Sequence, residues 1–125
     1  MGKTIHNDVL DAALNNIKNN ATRLCVCSAE PTTYTEAITT YELADVTIDS
    51  ADFTGPADGD VSGRKIAVNE QADIDVDSSG TATHIALVDV SNTKLLLVTT
   101  CTSQALTAGN TVTVPAFEDE ITDPS

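Results

Sequence analysis

The spacing of apolar and polar positions changes once along this chain, near residue 21. Residues 7–20, NDVLDAALNNIKNN, place Val9, Leu10, Ala13, Leu14 and Ile17 on one stripe at helical spacing. Asn7 is positioned as the N-cap, and Asp8 and Asp11 lie near the start, where the helix dipole favours negative charge. Lys18 lies near the other end, and Asn19 and Asn20 can close the helix. The stripe is narrow, so the helix is expected to dock on a sheet face or on a neighbouring subunit. Residues 1–6 read as a loose arm.

From residue 22 the pattern is that of strands and turns. TRLCVCS (22–28) alternates, with Leu24 and Val26 on one side and Cys25 and Cys27 on the other. Residues 33–41 are ambiguous: Thr35, Glu36 and Ala37 can open a short helix, yet the many Thr favour extended chain. YELADVTID (41–49) fits a strand, with Leu43 less well placed than Val46 and Ile48. FTGPADGD (53–60) reads as a turn-rich loop, with a positive φ expected at Gly59. GRKIAVN (63–69) and ADIDVD (72–77) are two further strands. In the second, Ile74 and Val76 face one way and Asp73, Asp75 and Asp77 the other.

The stretch 81–115 is rich in β-formers and apolar residues. Up to Val114 it holds one acid, Asp89, and one Lys, Lys94. Such a block predicts a sheet interior. Ser91-Asn92 marks a two-residue turn pairing 83–90 with 93–100 as an antiparallel hairpin, and residues 107–110 turn the chain into a last strand ended by Pro115. Turn signals about every ten residues predict about seven strands. The expected fold is mainly β, an antiparallel β-sandwich or jelly-roll-like barrel with one N-terminal α-helix. It is a single domain over 1–125: arm 1–6, helix 7–20, β domain 22–117 and acidic tail 118–125.

Composition narrows what such a fold can do. Aromatics are 3% with no Trp, so the core is built from Leu, Ile, Val and Ala, and no stacking platform for single-stranded nucleic acid is expected. Six Lys and Arg face nineteen Asp and Glu, for a net charge of −13. Arg64-Lys65 is the one basic pair, so neither nucleic acid nor an anionic membrane is an expected partner. The acidic excess suits a soluble protein, or one whose partner is a basic protein surface. Lys3 is not followed by an apolar run, so no signal peptide is expected, and no stretch is long enough to span a membrane.

Candidate chemistry is sparse. Cys25-x-Cys27 and Cys101 read as small reduced core residues, since zinc needs two further ligands, and they imply assembly in a reducing cytosol. Asp73, Asp75 and Asp77 suggest a hard-cation site, but a strand face cannot wrap an ion, and a solvated face is expected. Asp58-Gly59-Asp60 lacks the terminal acid of a calcium loop and reads as a polar turn. His84 has no nucleophile motif beside it, and a hydrogen bond to Thr or a backbone carbonyl is expected there. His6 lies in the arm, where it can contact another chain. Gly55, Gly59 and Gly63 have no Lys-Ser/Thr after them, so no phosphate cradle is expected. No catalytic residue, cofactor or metal ligand is expected, and the chain is not expected to be an enzyme.

Several segments resemble a family of small structural proteins of tailed bacteriophages. They are TIHNDVLDAALNNI (4–17), CSAEPTTY (27–34), FTGPADGDVSGRK (53–65), TATHIALVD (81–89) and TTCTSQALTAGNTVTVPAF (99–117). The resemblance implies a non-enzymatic virion component, with capsid decoration or cement as one role and a tail or neck accessory part as the other. It brings no catalytic residues. On the first role the partner is the major capsid protein, and the chain sits on the capsid exterior after assembly in the host bacterial cytoplasm. A homo-oligomer is expected, with a trimer favoured, and one way to build it packs the N-terminal helices through Val9, Leu10, Ala13, Leu14 and Ile17. A host-surface glycan-binding module built on residues 54–62 is a further alternative, disfavoured by the scarcity of rings.

Overall fold

The computed structural model describes residues 4–122. Helix α1 runs Asn7–Asn20 as the spacing predicts. Its N-cap is His6 rather than Asn7: His6 is extended, and its Nδ1 accepts from the backbone N–H of Asp8 at 3.0 Å. The stripe divides. Leu10 and Leu14 are buried and Ile17 packs against the core, but Val9 is 59% exposed and Ala13 is exposed. The helix thus docks on its own chain, against β3 (Phe53–Asp58) and β4 (Arg64–Val68). A helix-packed trimer loses its driving force, because the larger apolar residues of the stripe are already covered. Residues 1–3 of the expected arm lie outside the described residues.

Nine strands are present among the described residues, all paired antiparallel, in place of the seven expected. β1 (Arg23–Cys27), β2 (Glu42–Thr47), β6 (Gly80–Asp89) and β7 (Lys94–Leu106) form a four-stranded sheet in the order β2-β1-β6-β7. β3, β4 and β9 (Phe117–Ile121) form a second sheet in that order, and β5 (Gln71–Asp75) pairs with β8 (Thr111–Val114). The fold is mainly β with one N-terminal helix, and all three sheets are open.

One face of the four-stranded sheet carries the main core. Leu24, Val26, Ile85 and Leu87 pack with Phe53, Ile66 and Val68 of the second sheet, with Ile74 and Val112 of the third, and with Leu14 of the helix. The other face is also sealed. Cys25, Cys27, Ala86 and Val88 lie under Tyr34, Ala37, Ile38 and Tyr41, which come from the ambiguous segment. That segment winds a π-helical turn over Glu36–Thr40, and Glu36 accepts from the backbone and hydroxyl of Thr32. β1 is therefore buried on both faces, which explains its apolar pattern.

Three expectations fail for physical reasons. Residues 53–58 are a strand, not a loop: a bulge between Thr54 and Ala57 takes up Gly55 and the cis Gly55–Pro56 bond at a sheet edge, where a missing N–H is tolerated. The acidic tail is, through Ile121, strand β9, lying beside the basic side chains of β4, and residues 123–125 lie outside the described residues. The apolar block 81–115 is not all interior. β6 is central, but β7 is an edge strand, half-buried at residues 95–99 and mostly exposed at residues 100–105.

Smaller differences follow from the turns. The β6–β7 connection has four residues, not two. Thr93 takes φ +53°, and Asp89 accepts from the backbone and side chain of Asn92 at 3.2 and 2.7 Å. Positive φ occurs at Gly63 (+68°), not at Gly59, and a Cβ at Gly63 would lie 1.9 Å from the Ile121 carbonyl oxygen. Leu43 is buried with Ile48, while Val46 is half-buried. A bulge in the β1–β2 register at Leu43 turns it toward the main core.

Candidate functional site

The chemistry-bearing residues singled out in the sequence do not converge. His84 faces the outer side of the four-stranded sheet, between Cys27 and Thr100, and its Nδ1 lies 2.8 Å from the Thr83 hydroxyl. Asp89 stands at the far end of β6, buried and bonded to Asn92, whose side chain and backbone hold its carboxyl below the usual carboxylate range. Cys101 packs toward the main core, whereas Cys27 lies in the opposite one. Burial pushes the Cys27 thiol up to about 12 and the Cys25 thiol higher still, so neither supplies a thiolate near neutral pH.

The acids of the Asp58-Gly59-Asp60 turn are taken up by the chain's own cations. Arg64 donates to Asp58 at 2.7 Å, and it reaches both carboxylate oxygens of Asp11 on α1 at 2.7 and 3.3 Å. Lys65 lies 2.7 Å from Asp60 and 2.6 Å from Glu118 of β9. The backbone N–H of Asp60 donates to Glu120. Hydrogen bonding and charge from Lys65 lower the Asp60 carboxyl below its usual range. These contacts tie the helix, β3, β4 and β9 together, a structural role for a loop that looks cation-like in sequence.

One cluster was not visible in sequence. Glu42 and Asp45 of β2 and Asp77 after β5 place carboxylate oxygens within 4.8 Å of one another. Strict alternation would put Glu42 and Asp45 on opposite faces of a strand. The bulge at Leu43 pairs them with Cys27 and Cys25, which share a face, so they lie side by side. Asp73 and Asp75 stay exposed and outside the cluster. Arg23 is 3.9 Å from Asp45. Glu42 Oε1 is buried without a partner while both neighbours are acceptors, so a protonated Glu42 is the form that can donate to Asp77. Burial, then that hydrogen bond, push the Glu42 carboxyl up to about 8, and burial raises Asp45 as well. The group is a joint where β2 meets β5, next to the Ala44–Val76 bridge and the bond from the Asp77 N–H to the Leu43 carbonyl at 2.7 Å.

The surface best suited to a partner lies elsewhere. Residues 95–117 contain no Asp, Glu, Lys, Arg or His, in a chain of net charge −13. Within them β7 offers a thirteen-residue open edge. Beside it a groove of about 480 Å³ is lined by Ile85, Thr99, Thr100, Val114, Pro115 and Phe117, with no charged side chain. Of the five helix residues expected at an intermolecular contact, Val9 and Ala13 are exposed, Ile17 is half-buried, and Leu10 and Leu14 are covered by the chain itself. Among the described residues no helix is long and apolar enough to cross a membrane. No family model, curated protein or solved structure matches the chain.

Proposed function

We propose that this chain is a non-enzymatic structural protein of a tailed-bacteriophage virion, bound to the outer surface of the capsid, where it cements neighbouring capsomers of the major capsid protein. The observation that carries the reading is the thirteen-residue edge of β7, open and uncharged beyond Lys94. It is a surface suited to assembly, in which backbone groups and small side chains meet another protein. The rest of the molecule supports the same reading. Both faces of β1, at the centre of the main sheet, are covered, and Arg64, Lys65 and His84 each have a partner within the chain. The segments that resemble phage structural proteins point to a virion component, with capsid decoration and a tail or neck part as its two roles.

Electron microscopy of the intact particle tests this. Many copies spread over the outer shell are expected. A single ring at one vertex replaces decoration with the neck or tail role. Absence of the chain from the particle overturns both.

A further inference from the structure

We infer that β7 is a contact between two copies of this chain, which pair edge to edge and antiparallel about a two-fold axis, joining two four-stranded sheets into one of eight strands. The inference deepens the assembly reading and rests on it only for the purpose of the dimer, not for its existence.

Three observations converge on a second copy as the occupant. The first is the edge itself. Strands on open edges are normally short, bulged outward, or guarded by Lys or Pro. β7 has thirteen residues and, after Lys94 at its first position, neither Pro nor charge; its register against β6 shifts near Leu96 and over residues 101–103, so bulges interrupt the edge at two points without shortening it. Its backbone pairs with β6 on one side, and no other strand pairs with it among the described residues.

The second is electrostatic. Two bodies of net charge −13 repel, and they approach with least cost where neither carries an acid. β7 provides that place. A partner recruited by charge would meet the acidic surfaces, such as the row of Asp73 and Asp75, rather than this edge. The third is symmetry. Antiparallel pairing of one strand with its own copy is self-complementary, and a two-fold interface uses the same patch twice. In that pairing each Lys94 stands near the Leu106 end of the other strand, so the two cations do not oppose one another. The exposed Thr100 falls in the middle, opposite its own copy, and supplies a Thr cross-strand contact, with the exposed Thr102 in the adjoining bulge.

Sedimentation velocity on the purified full chain, over a concentration series, tests the inference. A dimer is expected. Replacing Thr100 and Thr102 together with Lys puts like charges at the centre of the interface and weakens the dimer by at least about tenfold. The control Val9→Lys, on the exposed side of the helix, leaves it intact. Hydrogen exchange on the unmodified chain gives a readout that does not depend on how the variants fold: protection of β7 amides rises with protein concentration. A monomer at every concentration overturns the inference, as does a dimer indifferent to both Lys substitutions or exchange in β7 that ignores concentration. A monomer whose double Lys variant no longer binds capsids also overturns it, and assigns the edge to the capsid protein while leaving the decoration reading standing.

Discussion

Replacing Leu14 with Ala tests whether the N-terminal helix belongs to the core of its own chain. Leu14 is 0% exposed and packs in the main core, while α1 lies against β3 and β4. Truncating a fully buried Leu to Ala costs about 3 kcal/mol, from lost transfer free energy and the cavity left behind. The small gain in helix propensity does not offset this. For a chain of 125 residues the unfolding entropy is ~0.26 kcal/mol/K, so the midpoint falls by about 12 °C. Val9→Ala is the matched control: the side chain is 59% exposed, and its removal should cost less than about 0.5 kcal/mol. Thermal unfolding followed by circular dichroism measures both. If the helices were buried between subunits, Val9→Ala would cost as much as Leu14→Ala, and the loss would depend on protein concentration. Either result, or a fall of less than about 4 °C for Leu14→Ala, refutes docking within the chain.

Two further predictions concern the outer face of the main sheet. Glu42 is pushed up to about 8, so the stability contributed by its protonated form is complete below pH 4.5 and is lost as pH rises through about 8. Glu42→Gln, which keeps a donor for Asp77, should flatten this fall and stabilise the fold at pH 9 by about 1 kcal/mol, a figure discounted for solvent screening. Urea denaturation at pH 5 and pH 9 measures it, and an equal effect at the two values contradicts the raised Glu42 carboxyl. Cys25 and Cys27 are fully buried with raised thiols, so a thiol reagent at pH 8 should label at most Cys101 in the native protein and all three after denaturation. Fast native labelling of Cys25 or Cys27 would show that the 34–41 cover is not closed.

Local pattern revealed the elements whose identity is set by residues close in sequence. The helix over 7–20, the alternating strand at 23–27 and the β6–β7 hairpin follow from periodicity, whereas Asp73, though exposed as expected, sits at φ +56° in a bulge of β5 rather than in a regular strand. The failures are long-range. FEDEI reads as a solvated tail because its charges repel in isolation. It becomes β9 because Lys65, more than fifty residues earlier, stands opposite Glu120 and contacts Glu118. Likewise Gly55-Pro56 is a turn signal that a bulged edge strand accommodates once β4 lies beside it. The Glu42–Asp45–Asp77 joint needs both a bulge and a neighbouring strand, neither of which has a sequence signature.

The uncharged block shows a deeper limit of composition. Residues 81–89 and 95–106 are alike in pattern, yet β6 is flanked by β1 and β7 while β7 has one neighbour. Lack of charge along a strand does not say whether the strand is central or at an edge. The same separation of charge acts at a larger scale. Eighteen of the nineteen acids lie outside 81–115, so the surfaces that repel other acidic bodies and the edge that does not are different parts of one rigid unit. Cementing neighbouring capsomers requires one body with at least two attachment points. A two-fold pair joined through β7 has two copies of every other surface, held apart by a continuous sheet. On the function proposed, self-pairing at the neutral edge is therefore what would turn a small protein with a single lattice contact into a bridge.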